Sequence, residues 1–265
     1  MAQGVYKASY KSGIAYRASV TYKNKHISLG SYSSETEAYA SYREALNIIS
    51  NDSITIDNFS LSDFTLKFEK IITLLNFRDK GMYISNPIYM RQNYFSYFLD
   101  KNTELKFDID DLFYYSGHKI IKRGGHLFVN DYGSQINILS RFGIHGFSVA
   151  GRDYEFANGD STDFRYSNII VINSYIGVFR KERKAKYVYQ TKIHINGDFV
   201  IGTYSSEIKA AIAYNKAVDI AKSHGLNKNF RENYITEIDG KTYADIYTTI
   251  KISANYISYL NNCAD

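Results

Sequence analysis

The chain has 265 residues, 45% of them hydrophobic, with a single proline, a single cysteine and a net charge of +5. That apolar content can build cores for two or three domains, and it excludes a disordered or fibrous chain. No apolar run approaches the ~20 residues that cross a bilayer, Met1-Ala2-Gln3-Gly4 lacks an apolar signal core, and a lone Cys263 can make no internal disulfide, so a cytoplasmic, reducing setting without a membrane is expected.

Residues 1–51 open with Gly4-Val5-Tyr6. They continue through Tyr16, Ala18 and Val20 at period two and reach Leu29-Gly30-Ser31-Tyr32-Ser33-Ser34-Glu35, followed by Ala38, Tyr42 and Ala45 at helical spacing. This pattern predicts strands, a hairpin and a capped helix. Residues 52–104 read as a helical connector. Leu61, Phe64, Phe68, Ile71, Ile72 and Leu75 form a helical stripe with Ser62 placed to cap it, and Asn86-Pro87 suits the start of a second helix through Tyr94, Phe95 and Phe98. Residues 105–174 begin with the apolar groups Phe113-Tyr114-Tyr115, Ile120-Ile121 and Leu127-Phe128-Val129, whose glycine-rich spacers predict short strands.

Residues 175–226 repeat the opening pattern. Gly177-Val178-Phe179 matches Gly4-Val5-Tyr6, Tyr189, Thr191 and Ile193 match Tyr16, Ala18 and Val20, and Ile201-Gly202-Thr203-Tyr204-Ser205-Ser206-Glu207 matches the segment from Leu29. From that glycine onward the two copies hold one offset, which places Ala210, Tyr214 and Ala217 on Ala38, Tyr42 and Ala45. In the second copy Asn196-Gly197 predicts a type I′ turn. In residues 227–265, Glu237 to Thr242 reads as a tight turn, and Tyr243, Ile246, Tyr247, Ile250 and Tyr256 as one C-terminal helix, a hairpin/helix extension that closes the core or forms a dimer contact.

The two repeats resemble the AP2 DNA-binding domain of plant transcription factors and of phage and mobile-element endonucleases. The resemblance implies a three-stranded antiparallel sheet on one helix, with the outer sheet face laid into the DNA major groove. Arg17, Ser19 and Thr21 in the first copy, and Gln190, Lys192 and His194 in the second, would then point at bases. Lys7, Lys23, Lys25, Arg180, Lys181, Arg183, Lys184 and Lys186 would meet phosphates. Copy one has Lys23-Asn24-Lys25 in place of Asn-Gly, and neither copy has the family's tryptophan. Charge agrees with this reading, because residues 1–51 carry six Lys/Arg against three Glu, and residues 174–226 nine against four acids, leaving the remainder net acidic. Taken alone, the run from Arg180 to Lys186 reads equally as a solvated loop.

Between the repeats, residues 154–169 resemble the core of an HNH nuclease, with Asn158-Gly159-Asp160, Asp163, Arg165 and Asn168 at the family's spacing. That resemblance implies a ββα-metal module, with Glu155 at the metal-binding acid, Phe156 at the general-base histidine and Asn137 at an upstream histidine. A phenyl ring neither ligates metal nor takes a proton from water, so the module is read as degenerate, with no metal or cofactor. An active version would use Mg with His145, Glu155, Asp160, Asp163 and Asn168.

The expectation is therefore an α+β protein in which two AP2-like units flank a helical connector and a degenerate HNH-like module. Its expected function is double-stranded DNA binding in a phage or mobile element, nucleoid-associated when bound, with the two sheets acting together through one chain. Two alternatives stay open: an active HNH homing-type endonuclease, and a phage inhibitor engaging a host protein such as a nuclease. The oligomeric state is also open.

Overall fold

The computed structural model describes residues 2–10, 13–59, 63–146, 148–226 and 228–263. The chain is α+β, with small antiparallel sheets and six α-helices among the described residues. It divides into two compact units, residues 1–136 with 160–168, and residues 137–159 with 169–265. No helix among the described residues is long and apolar enough to cross a membrane.

In the first unit, β1 (Val5–Tyr10), β2 (Gly13–Tyr22) and β3 (Lys25–Tyr32) form an antiparallel sheet followed by α1 (Glu35–Ser50). Alternation along β2 turns Tyr16, Ala18 and Val20 to one face, where they pack with Val5, Ile27 and Leu29 against Ala38, Tyr42 and Ala45. Ser34 caps the helix by accepting from the Glu37 N–H at 3.2 Å. The second repeat has the same order in the second unit: β12 (Val178–Arg183), β13 (Lys186–His194), β14 (Asp198–Tyr204) and α4 (Glu207–Ser223). Ser206 is its cap.

The repeats share details that local propensity does not require. Gly4 and Gly177 both sit at positive φ, +73° and +71°, and a Cβ on either would lie 2.2 or 2.3 Å from the ring of Tyr42 or Tyr214. Only glycine fits both the backbone and the space under the tyrosine. The Gly4 and Gly177 carbonyls accept from Ser19 N–H (3.0 Å) and Lys192 N–H (2.8 Å), each just past the point where Leu29 on β3 or Ile201 on β14 bulges out of register with the central strand. Glu35 accepts from Ala2 N–H at 2.8 Å, and Glu207 from Ser174 N–H at 2.6 Å, tying each helix start to the residues before its sheet.

The turns differ from expectation. Asn196-Gly197 is not type I′: Asn196 is not at positive φ, and His194 pairs with Asp198 around a three-residue loop closed by Ile195 N–H to Gly197 C=O at 3.0 Å. The type I′ pattern, positive φ at both central residues, occurs instead at Lys23-Asn24 in the first copy and at Lys184-Ala185 between β12 and β13. The second copy is one residue shorter at its β13–β14 turn, which is where the offset between the repeats changes.

The segment 52–104 is not wholly helical. Its one α-helix, α2 (Phe68–Lys80), covers the first sheet's core with Ile71, Ile72, Leu74 and Leu75, and Arg78 reaches back to the carbonyls of Ile48, Asn51 and Ile54 at the end of α1. Leu61 and Ser62 lie outside the described residues, and the helix begins after Lys67. Asn86-Pro87 does not open a helix. It precedes β4 (Ile88–Met90), which pairs with β5 (Tyr94–Asp100) and through it with β6 (Thr103–Asp108). Pro87 sits at a strand start, where its missing N–H costs nothing and its carbonyl accepts from Phe98 at 2.9 Å. Tyr94 to Leu99 is an aromatic-rich run that favours a strand, with four successive residues buried.

Phe113-Tyr114-Tyr115 belongs to a short helix, α3 (Leu112–Gly117), not a strand. Its turn buries Tyr115 against Phe95, Phe107 and Tyr97 while leaving Phe113 in solvent. The other two groups form strands as expected, β7 (Ile120–Arg123) and β8 (His126–Asp131), in a sheet with β9 (Ser134–Asn137).

In the second unit the C-terminal residues form two helices, α5 (Gly240–Thr249) and α6 (Ala254–Cys263), where one was expected, and no hairpin among the described residues. Asp239 is an N-cap, accepting from Thr242 N–H at 2.9 Å, so the expected turn is a helix start. Of the two roles left open, α6 fills the first: Tyr256 and Leu260 are fully buried in the second repeat's core, and the Tyr256 hydroxyl donates to Ala217 C=O at 2.8 Å.

Candidate nucleic-acid interface

Cross-strand partners in a sheet point to the same face. On β13 the helix-facing row is Tyr189, Thr191 and Ile193, so Lys186, Val188, Gln190, Lys192 and His194 face outward. Register then assigns β12: Phe179, Lys181 and Arg183 share the outer face with Gln190, Val188 and Lys186, while Arg180 and Glu182 share the helix side with Tyr189 and Tyr187. The outer face therefore gathers Lys181, Arg183, Lys186 and Lys192, and the one acid within this hairpin, Glu182, falls on the other side. Asp198 on β14 is engaged by His194 at 2.8 Å.

Within this face Lys192 lies over the Phe179 ring at 5.6 Å. Gln190 is half-buried with its Oε1 shielded from solvent, so its oxygen is not an open base contact. Arg180, on the opposite row, stacks on Tyr187 at 4.7 Å and donates its backbone N–H to Asn173. Lys184 occupies the turn. The run from Arg180 to Lys186 is thus a paired hairpin, not a loop.

The first sheet differs in kind. Register places Tyr6, Ala8, Ala15, Arg17, Ser19, Thr21, His26, Ser28 and Ser31 on its outer face, so Arg17 is the one permanent cation there among the described residues. Arg17 and Thr21 are exposed as expected, but Ser19 is buried and accepts from the Tyr6 hydroxyl at 2.8 Å. Lys7 pairs with Tyr16 on the helix-side row. Lys23 donates to the Phe77 and Arg78 carbonyls at 3.4 and 3.3 Å, near the end of α2, and lies over Tyr22 and Phe77. Lys25 lies over Tyr83. Both lysines are exposed, but Lys23 is engaged at the end of α2 and Lys25 pairs with Tyr22 on the helix-side row, so neither lies on the outer sheet face.

One cation escaped sequence reasoning. Arg152 lies over Phe179 at 5.4 Å, which adds a guanidinium to the edge of the second sheet's outer face. Its neighbour Asp153 is buried and accepts from the Arg152 guanidinium, from Val149 N–H and from Asn173. Burial pushes the Asp153 carboxyl up, but these donors outweigh it and hold the pKa below the usual range. No periodic signal links residue 152 to a strand 27 positions later, and only the fold does so.

The HNH-like residues divide between the units. In the second, β10 (Tyr154–Phe156) pairs with β11 (Ile169–Val171), placing Glu155 opposite Ile170. The chain runs from there to β12 without an α-helix, so the third element of ββα is missing. Phe156 packs edge-on against Tyr154, and His145 contacts Gly146 C=O and Ser148 Oγ. In the first unit, Thr162 C=O and Phe164 N–H pair with Lys106 on β6, and Phe164 stacks on Phe107. Asp160 accepts from Lys106 at 2.8 Å and from Thr162, which hold its pKa down at about 2. Buried Asp163 takes a two-bond grip from Arg165, and Asn168 donates to Asp163 C=O at 2.8 Å. Both aspartates already serve internal cations and position 156 offers no donor, so this set does not fit a catalytic metal.

No family model, curated protein or solved structure matches the chain.

Proposed function

We propose that the protein binds double-stranded DNA through the outer face of the β12–β13–β14 sheet. The observation that carries this is the register, which sorts Lys181, Arg183, Lys186 and Lys192 onto one exposed face and Glu182 onto the other. A twisted β-ribbon fits the ~12 Å width of the major groove, and a cationic row along it neutralises phosphates on both walls. The AP2-like pattern of both repeats supports the same mode. Unequal charge makes the second sheet the main contact, while the first contributes Arg17 at most. The HNH-like segment serves the fold: Asp160, Asp163, Arg165 and Asn168 support a turn against β6, and the reading is of a binding protein without nuclease chemistry.

Arg183→Ala tests this by duplex titration across a salt series. The reading predicts weaker binding to all sequences and a slope of log K against log[salt] shallower by roughly one. An unchanged slope removes Arg183 from the interface.

A further inference from the structure

Arg152 carries an inference that rests on the DNA-binding reading and refines it. Its Nε and Nη2 both donate to Asp153 Oδ2, at 3.0 and 2.6 Å, and these are its only side-chain hydrogen bonds among the described residues. They occupy one edge of the planar guanidinium. The other edge, Nη1 with the remaining Nη2 hydrogen, keeps a parallel pair of donors. The plane is held from a second direction by the Phe179 ring at 5.4 Å, and Phe179 belongs to the outward row, where Lys192 also lies over it. Arg152 remains half-exposed while Asp153 is buried, so the fork is accessible and its support is not.

Two physical arguments separate this residue from the lysines beside it. First, its charge is balanced at contact distance by Asp153, so it adds little to counterion release and is a poor phosphate neutraliser. Second, an arginine fixed by a carboxylate and a ring loses little rotamer freedom on binding, so its donor pattern survives where its charge does not. Paired donors in a fixed plane match two acceptors on one base edge, and in the major groove that pair is O6 and N7 of guanine. We propose that Arg152, buttressed by Asp153, is a specificity-determining residue that reads a guanine at the flank of the duplex site, while Lys181, Arg183 and Lys186 supply affinity without sequence preference.

The test selects preferred duplexes from a random pool with the wild-type protein, then titrates wild type, Arg152→Ala and Arg152→Lys against them at two salt concentrations. Both variants are expected to lose roughly ten- to hundredfold on the selected duplex, with random-duplex affinity and salt slope nearly unchanged. Lysine should not rescue, because it restores charge without the fork. A measurement free of mutation uses the selected duplex with 7-deazaguanine at the preferred guanine: wild type should lose affinity, and Arg152→Ala should not respond. Full rescue by lysine with a slope change in Arg152→Ala makes Arg152 a phosphate contact and overturns the proposal. A selected pool without a preferred guanine, or wild-type indifference to 7-deazaguanine, also overturns it. Failure of the wild type to bind any duplex would instead overturn the underlying DNA reading, and the proposal with it.

Discussion

Gly177 shows how one missing atom can decide a fold. Its φ of +71° is strained for any other residue, and a Cβ would lie 2.3 Å from the Tyr214 ring and 2.5 Å from the Lys192 carbonyl oxygen. Backbone cannot move aside as a flexible side chain can. Gly177→Ala should therefore destabilise the protein by about 2–4 kcal/mol, measured as a fall in urea midpoint. A change within about 0.5 kcal/mol would mean that the Gly–Tyr contact does not constrain the repeat. Lys23 and Lys192 show the complementary point about charge. Both are lysines in matched hairpins, yet one binds the end of α2 and the other lies on an open sheet face, and that difference arises from packing that composition does not record.

At the scale of elements, the segment 160–168 is pinned to β6 by two backbone hydrogen bonds, by Phe164 on Phe107 and by the Lys106–Asp160 pair. Asp160 titrates at about 2 in the folded protein, below its ordinary value near 4, with Lys106 the largest cause. A depressed carboxylate stabilises the fold above its unfolded pKa, and this contribution is lost as pH falls from about 4 through about 2. Lys106→Met should flatten that part of the melting-temperature profile relative to wild type. Parallel acid arms in the two proteins would show that the pair does not link the segment to stability.

The repeats were legible because period-two strands, serine caps and Gly–Tyr spacing are local signals, and both copies display the expected order. The middle of the chain was less legible for physical reasons. Phe95 to Phe98 is buried on both faces and so loses its alternation, and a single helical turn such as α3 carries too few residues to display a period. The turns misled because Asn-Gly is a preference, whereas Lys23-Asn24 and Lys184-Ala185 adopt positive φ under the demand of tight two-residue hairpins. Of the interface, the basic run was visible in sequence. Which of its members face outward became visible only through register.

At the scale of the whole molecule, two repeats of one order differ in the charge they carry on their outer sheet faces. Each repeat has a helix that closes its core, with α2 serving the first and α6 the second, so neither sheet needs its outer face for stability. In the first copy that face is mainly alanine and hydroxyl side chains around Arg17, and in the second it is a cationic hairpin. Two equal binding surfaces would favour two-handed engagement of DNA, whereas this distribution favours one principal contact. The most direct measurement is duplex-DNA affinity across a salt series for wild type, for the triple variant Lys181→Ala, Arg183→Ala, Lys186→Ala, and for the double variant Lys23→Ala, Lys25→Ala. The account predicts that the triple variant loses close to three units of salt slope, while the double variant keeps the wild-type slope. An undiminished slope in the triple variant, or no duplex binding by the wild type, would contradict it.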